Sequence, residues 1–179
     1  MASTTTQKKK SGNAIYLYIA RALVAKWATI VAALETDDDD PTSDDIEDPW
    51  PAGELVSTLT RADICDAASP TWSGQLGIAV EVQGGLPDPA DLDGGGVYHW
   101  LVDVIPMFAA AENSEDTTRM KWHYVRCAEA SIVSYHEETV GPVSGVESVE
   151  QLAFVRNRVL SPGIQGATLG LRVQAQHKI

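Results

Sequence analysis

From Ser11 to Thr36, apolar residues recur every three or four positions: Ile15, Ile19, Leu23, Trp27, Ile30 and Leu34, with Ala20, Val24 and Val31 beside them. That period predicts an α-helix with a broad apolar face. Arg21 and Lys26 fall off the stripe, and the frequent alanines add propensity to pattern. The helix is expected to end near Thr36, where consecutive aspartates meet Pro41 and no apolar period survives. Leu55, Leu59, Ala62 and Cys65 keep helical spacing between Glu54 and Asp66, which predicts a short second helix before a connection marked by Pro70 and Gly74. At Gly77 the period changes to two. Ile78, Val80 and Val82 alternate with Ala79 and Glu81, a strand closed by Gly84 and Gly85. Beyond Pro87, Pro89 and three successive glycines, Val97 to Phe108 forms a longer run rich in β-branched and aromatic residues, expected to pair with the first strand. Pro106 cannot donate a ladder hydrogen bond, so that end is expected at a sheet edge or just outside the ladder.

The next helix is signalled by Ser114 as an N-cap and by Glu115 and Asp116 in a first turn whose dipole favours negative charge. Met120, Tyr124, Val125, Ala128, Ile132 and Tyr135 supply its buried face, and it is expected to stop near Glu138, ahead of Gly141 and Pro142. Leu152 to Leu160 and Thr168 to Gln176 close the chain as strands around a turn at Pro162, Gly163 and Gly166. In the last strand Leu169, Leu171, Val173 and Ala175 alternate with Thr168, Arg172, Gln174 and Gln176, so one face is buried and one solvated. This order predicts an α+β fold: an antiparallel sheet of about four strands with two main helices packed on one face.

A length of 179 residues and 44% hydrophobic content suit a single core. Residues 1–11 are expected to be a disordered polar tail containing Lys8, Lys9 and Lys10, and residues 12–179 a single α+β domain with an acidic loop at about 35–53. The stretch Ala14 to Leu34 is broken by Arg21 and Lys26, and no small-residue cleavage site follows a short apolar core, so neither a membrane span nor a signal peptide is expected. Folding in a cytoplasm follows from that reading.

Charge changes the picture in one place. The formal net charge is −12, and Glu35, Asp37, Asp38, Asp39, Asp40, Asp44, Asp45, Glu47 and Asp48 supply most of the excess. Such a balance argues against a surface built to hold nucleic acid, which binds through Lys and Arg. The acidic run lacks the alternating pattern and distant Glu of an EF-hand, so it reads as a solvated loop rather than a calcium site. Within it, Trp50 stands between Pro49 and Pro51; it either folds back on its own domain or anchors a partner chain, where Trp is enriched.

The motifs of catalysis are missing. There is no H-E-x-x-H, no G-x-S-x-G and no phosphate-binding G-x-x-x-x-G-K-[ST]. Gly94, Gly95 and Gly96 are followed by a strand instead of a helix and read as a turn. His99, His123, His136 and His177 do not converge by local spacing, and Cys65 and Cys127 have neither a C-x-x-C partner nor a framework. Cys127 reads as a buried, inert thiol in a helix. No catalytic, cofactor or metal residues are assigned. The residues singled out for an interface or lumen are Asp37, Asp38, Asp39, Asp40, Asp44, Asp45, Trp50 and Pro106.

The order of an N-terminal helix, a strand at Gly77 to Gln83, a long strand leading into an Ala-rich, acid-bearing segment (Val104 to Asp116), a helix and a closing strand at Ala167 to Gln176 resembles tail terminator proteins of tailed bacteriophages. The likeness spans roughly Gly12 to Gln176 and is interrupted by the acidic segment. It implies a structural virion protein without cofactors or enzymatic activity. Such a protein is a ring of its own copies, usually a hexamer, that caps the tail tube, joins it to the head connector or stopper protein, and passes DNA without specific binding. Its place would be the tail or neck of the virion, assembled in the host cytoplasm. Carboxylates lining the channel would repel phosphate within about 8 Å at physiological salt. Two other readings stay open: another neck, head-completion or minor tail protein, or a small α+β ligand-binding domain or enzyme whose site forms only in three dimensions.

Overall fold

A computed structural model of the chain describes residues 12–36, 55–67, 70–72, 74–87, 97–110, 115–139, 145–161 and 163–176. The fold is α+β, two long helices over a five-stranded, mostly antiparallel open sheet. Helix α1 (Gly12–Thr36) is followed by a single 3-10 turn (Arg61–Asp63) and strands β1 (Ile64–Asp66), β2 (Leu76–Pro87) and β3 (Val97–Ala109). Helix α2 (Glu115–Thr139) then leads to β4 (Val146–Ser161) and β5 (Ile164–Gln176). The strand order is β1-β2-β3-β5-β4, so β3 is central, flanked by β2 and β5.

The period-2 segments build the sheet, but two of them run past the turns expected for them: β2 continues through Gly84 and Gly85 to Pro87 after a register shift at Val82/Gly84, and β5 begins at Ile164, so Gly166 is paired inside it. In β2 and β3, Ile78 faces Pro106, Val80 faces Val104 and Val82 faces Val102 on the helix side, while Ala79 and Ile105 meet on the other. In β5, Ala167, Leu169, Leu171, Val173 and Ala175 all enter the main core with Ile15, Ile19, Leu23 and Trp27 of α1 and Tyr124, Ala128 and Ile132 of α2. Those helical residues are at most 2% exposed. Both helices therefore lie on one sheet face, and burial of their apolar stripes, worth roughly 1.5–3 kcal/mol for each large side chain, holds the two layers together.

Three other expectations need correction. The described part of the expected second helix, Leu55 to Asp66, is not an α-helix: Leu55 and Leu59 enter the core from irregular backbone, and Ile64, Cys65 and Asp66 pair in parallel with Ile78, Ala79 and Val80. The apolar spacing is right only for Leu55 and Leu59: Ala62 is exposed, and Cys65 packs in a second cluster apart from the main core. Pro106 lies neither at an edge nor outside the ladder; it is buried in central strand β3. Its missing donor is accommodated on one side, where the β3–β5 register runs through Val104↔Leu169, resumes at Met107↔Gly166 and skips the two residues between. The penultimate strand is also longer than Leu152 to Leu160. β4 starts at Val146 and carries three register shifts against β5, at Val146/Ser148, Gln151/Val155 and Val159/Ser161. Bulges of this kind insert unpaired residues and twist a strand, which scrambles the alternation a linear reading relies on.

Strands β1 and β2 are parallel, and the described residues between them include Ala67 and Trp72. These two pack against a small second cluster of Cys65, Ala79, Ile105 and Met107. Gly77 permits this: a Cβ there would stand 2.5 Å from the Trp72 ring. At the β4–β5 turn Gly163 takes φ +84°, and its carbonyl accepts the Ala110 N–H at 3.0 Å.

Candidate interaction surface

Chemical groups are mostly spent inside the fold. His136 Nδ1 stands 3.0 Å from the Tyr18 hydroxyl, tying α2 to α1, and His123 is buried in α2. Among the described residues no three His, Cys, Asp or Glu side chains group closely enough to hold a metal ion. Cys65 and Cys127 are both buried free thiols. Burial pushes the Cys65 thiol up in pKa, so it stays protonated and is a poor nucleophile near neutrality. Of the residues singled out from sequence, Asp37, Asp38, Asp39, Asp40, Asp44, Asp45 and Trp50 lie outside the described residues, as does the expected cap Ser114. Pro106 is inside the sheet, so it presents no edge to a partner.

What the helical layer does hold is an aromatic clamp. The Trp27 and Tyr124 rings stack at 6.3 Å, and Phe108 of β3 meets Tyr124 at 5.4 Å. Trp27 Nε1–H donates to the Val56 carbonyl at 2.7 Å, and the Val56 N–H donates to the Tyr124 hydroxyl at 3.2 Å. One irregular backbone unit is thus satisfied from both helices. Nearby, the Arg61 guanidinium lies 5.1 Å above the Tyr16 ring and donates to the Ile64 carbonyl at 3.0 Å, which fixes the start of β1. Asp63 Oδ2 accepts from both the Thr60 N–H and hydroxyl, at 3.0 and 2.6 Å. Lys26 of α1 and Glu138 near the C-terminal end of α2 form an ion pair.

The outward faces of the helices differ from ordinary solvated faces. On α1, Arg21, Val24, Ala25 and Ala28 are exposed and Leu17 is half-buried. Leu17, Arg21, Val24 and Ala28 follow one another at spacings of four, three and four, so they form a single stripe. By length and composition α1 would suffice to cross a membrane, yet only 33% of its most apolar stretch is buried. On α2, Trp122 (44% exposed), Arg126, Glu129, Val133 (37% exposed) and Glu137 recur at the same kind of spacing. The Glu129 carboxyl is held above its ordinary range by partial burial, an effect that Arg126 opposes. Among the described residues, β4 pairs with β5 alone, and β2 pairs with β1 as far as Val80. Leu86 stands 68% exposed on the uncovered part of β2.

No family model matches the chain, and no curated protein does. Among solved structures, a chain of the virion of a native gene transfer agent particle is similar, at 15% identity and a TM-score of 0.37 over 86% of this chain and 97% of that one. At that identity the likeness is one of coarse arrangement, and the fold described above stands on this chain's own pairings.

The α1 and α2 stripes were not singled out from the sequence. Val24 had been placed beside the buried stripe of α1, whereas it faces outward. The signal was present in the composition: a helix apolar on nearly every side needs cover on more faces than one sheet supplies.

Proposed function

We propose that this chain is a structural component of a phage-like particle and, more narrowly, a tail terminator that assembles with copies of itself into a ring. The ring caps the tail tube and joins it to the head connector. The observation that carries the reading is architectural: an open α+β sheet in the element order of that family, with β4 at the sheet edge among the described residues and a helix α1 whose outward stripe is apolar apart from Arg21. A ring needs heterologous contacts, in which two different patches of one chain meet, and this fold offers such patches on both its helical layer and its sheet edges. The buried thiols and the His136 to Tyr18 contact suit a scaffold.

The net charge of −12 fits a channel that lets DNA slide. In this reading the carboxylates from Asp37 to Asp48 face the lumen, and Trp50 anchors a neighbouring chain.

The test is mass determination by light scattering across concentration, repeated with tail tubes or particles from the same source. A hexamer-sized species, or a ring at the tube end seen by electron microscopy, is the expected result. A chain that stays monomeric at every concentration and never enters a particle overturns the proposal.

A further inference from the structure

Resting on the assembly reading above, we infer that the outward stripe of α1 in one copy packs against the outward stripe of α2 in the next, antiparallel and heterologous. Both stripes have the four-three-four spacing of a coiled-coil seam, the geometry that lets two helices interdigitate at a shallow angle. Side-chain sizes match as knob and hole. Val24, Ala25 and Ala28 leave a shallow groove on α1, and Trp122 and Val133 project from α2.

Charge selects the direction. The α1 stripe carries one charge, Arg21, and no acid, while the α2 stripe carries Arg126, Glu129 and Glu137. An antiparallel register that sets Ala28 against Trp122 places Arg21 on Glu129 and Leu17 on Val133. The parallel register sets Arg21 on Arg126 and is disfavoured by like charge. Since the two stripes are different surfaces of the same chain, the contact repeats from copy to copy and can close into a ring.

Size decides how the contact behaves. Leu17 to Ala28 spans roughly 18 Å of helix at about 1.5 Å per residue. A seam that short covers well under the roughly 800 Å² per partner of a stable interface. Isolated pairs are therefore weak, and the seam acts within a closed ring, where each copy uses both of its stripes.

The test is charge reversal in the full chain. Arg21→Glu is expected to weaken self-association, or incorporation at a tube end, roughly tenfold, while Arg21→Glu with Glu129→Arg recovers most of it. Circular dichroism should show every variant folded. Thiol crosslinking gives a second readout, because Cys65 and Cys127 are 6% and 0% exposed and do not compete. Chains carrying Ala25→Cys mixed with chains carrying Arg126→Cys should form mixed disulfides, and Ala25→Cys chains alone should not. Rings that form unchanged in Arg21→Glu, or Ala25→Cys chains that crosslink with one another, overturn this contact and leave the assembly reading standing. A wild-type chain that binds phosphatidylcholine vesicles through α1 also overturns it. A wild-type chain that neither self-associates nor enters a particle removes the assembly reading and this contact together.

Discussion

Tyr124 shows how much one side chain can hold in this fold. It is 2% exposed, touches Trp27 and Phe108, and its hydroxyl accepts the Val56 N–H. Tyr124→Phe keeps the ring contacts and strips the acceptor from a backbone donor. A cost of about 1 kcal/mol is expected, seen as a fall in Tm of about 2–4 °C. The same residue sets an alkaline limit. Burial raises the pKa of Tyr124, and of Tyr18, above the ordinary 10.0. The folded state therefore keeps these protons at a pH where the unfolded chain releases them. Their contribution to stability is complete below the unfolded value and is lost as pH rises through the folded one. A denaturation series from pH 8 upward should show stability falling beyond about pH 10, with a shallower fall in Tyr124→Phe. A parallel fall in both proteins would mean that Tyr124 is not the group responsible. Glu129 has the same sign: burial favours its neutral form, so the folded chain is penalised for ionising it. Glu129→Gln should leave the isolated fold at least as stable at pH 7 by thermal melt while weakening self-association, a split that a purely structural role would not produce.

Among elements, the link between β1 and β2 carries the clearest test. Trp72 caps the second cluster, and its ring occupies the space a Gly77 side chain would need. Gly77→Ala should cost about 1–3 kcal/mol, because the indole must leave its seat. Combining it with Trp72→Ala should cost less than the two changes summed, since the clash exists only while the ring is present. Additive melting shifts would show that the two do not meet. The same link explains what was readable beforehand. α1 could be read almost to its ends because twenty-five residues of three-and-four spacing admit no other backbone, and the cleanly alternating parts of β2 and β5 could be read, though not the glycine-bearing ends at Gly84 to Pro87 and Ile164 to Ala167. β1 could not. Three residues carry no period, and their parallel pairing with β2 depends on where the chain has already gone. Pro106 misled for a related reason: a missing donor argues for an edge, but the β3–β5 ladder opens around it at the sheet centre. The interaction surface was the least legible. Apolar spacing identifies positions that avoid water, and α1 has such positions on its sheet-facing side and on its outward side alike.

At the scale of the molecule, two terms oppose each other when copies meet. Each chain brings a net charge of −12, so copies repel over distances comparable with the Debye length, about 10 Å at 0.1 M salt. The proposed seam is apolar on the α1 side apart from Arg21, while α2 brings Arg126 and Glu137 beside the Arg21 to Glu129 pair, and exposed pairs of this kind contribute about 0–1 kcal/mol. Salt therefore acts in two directions, weakening the Arg21 to Glu129 attraction slightly and screening the repulsion between whole chains. The second effect is larger because it involves many charges and the first only two. Apolar burial does not depend on screening. Self-association of the purified chain should accordingly strengthen as sodium chloride rises from about 0.05 to 0.5 M, where the Debye length shrinks to well under 10 Å. Light scattering at fixed protein concentration reads this directly. Dissociation with added salt would show that ion pairs dominate the contact and would move the interface away from the helical stripes. The comparison with Arg21→Glu sharpens the result, since that variant makes each chain more acidic and should need more salt than wild type to reach the same assembled fraction.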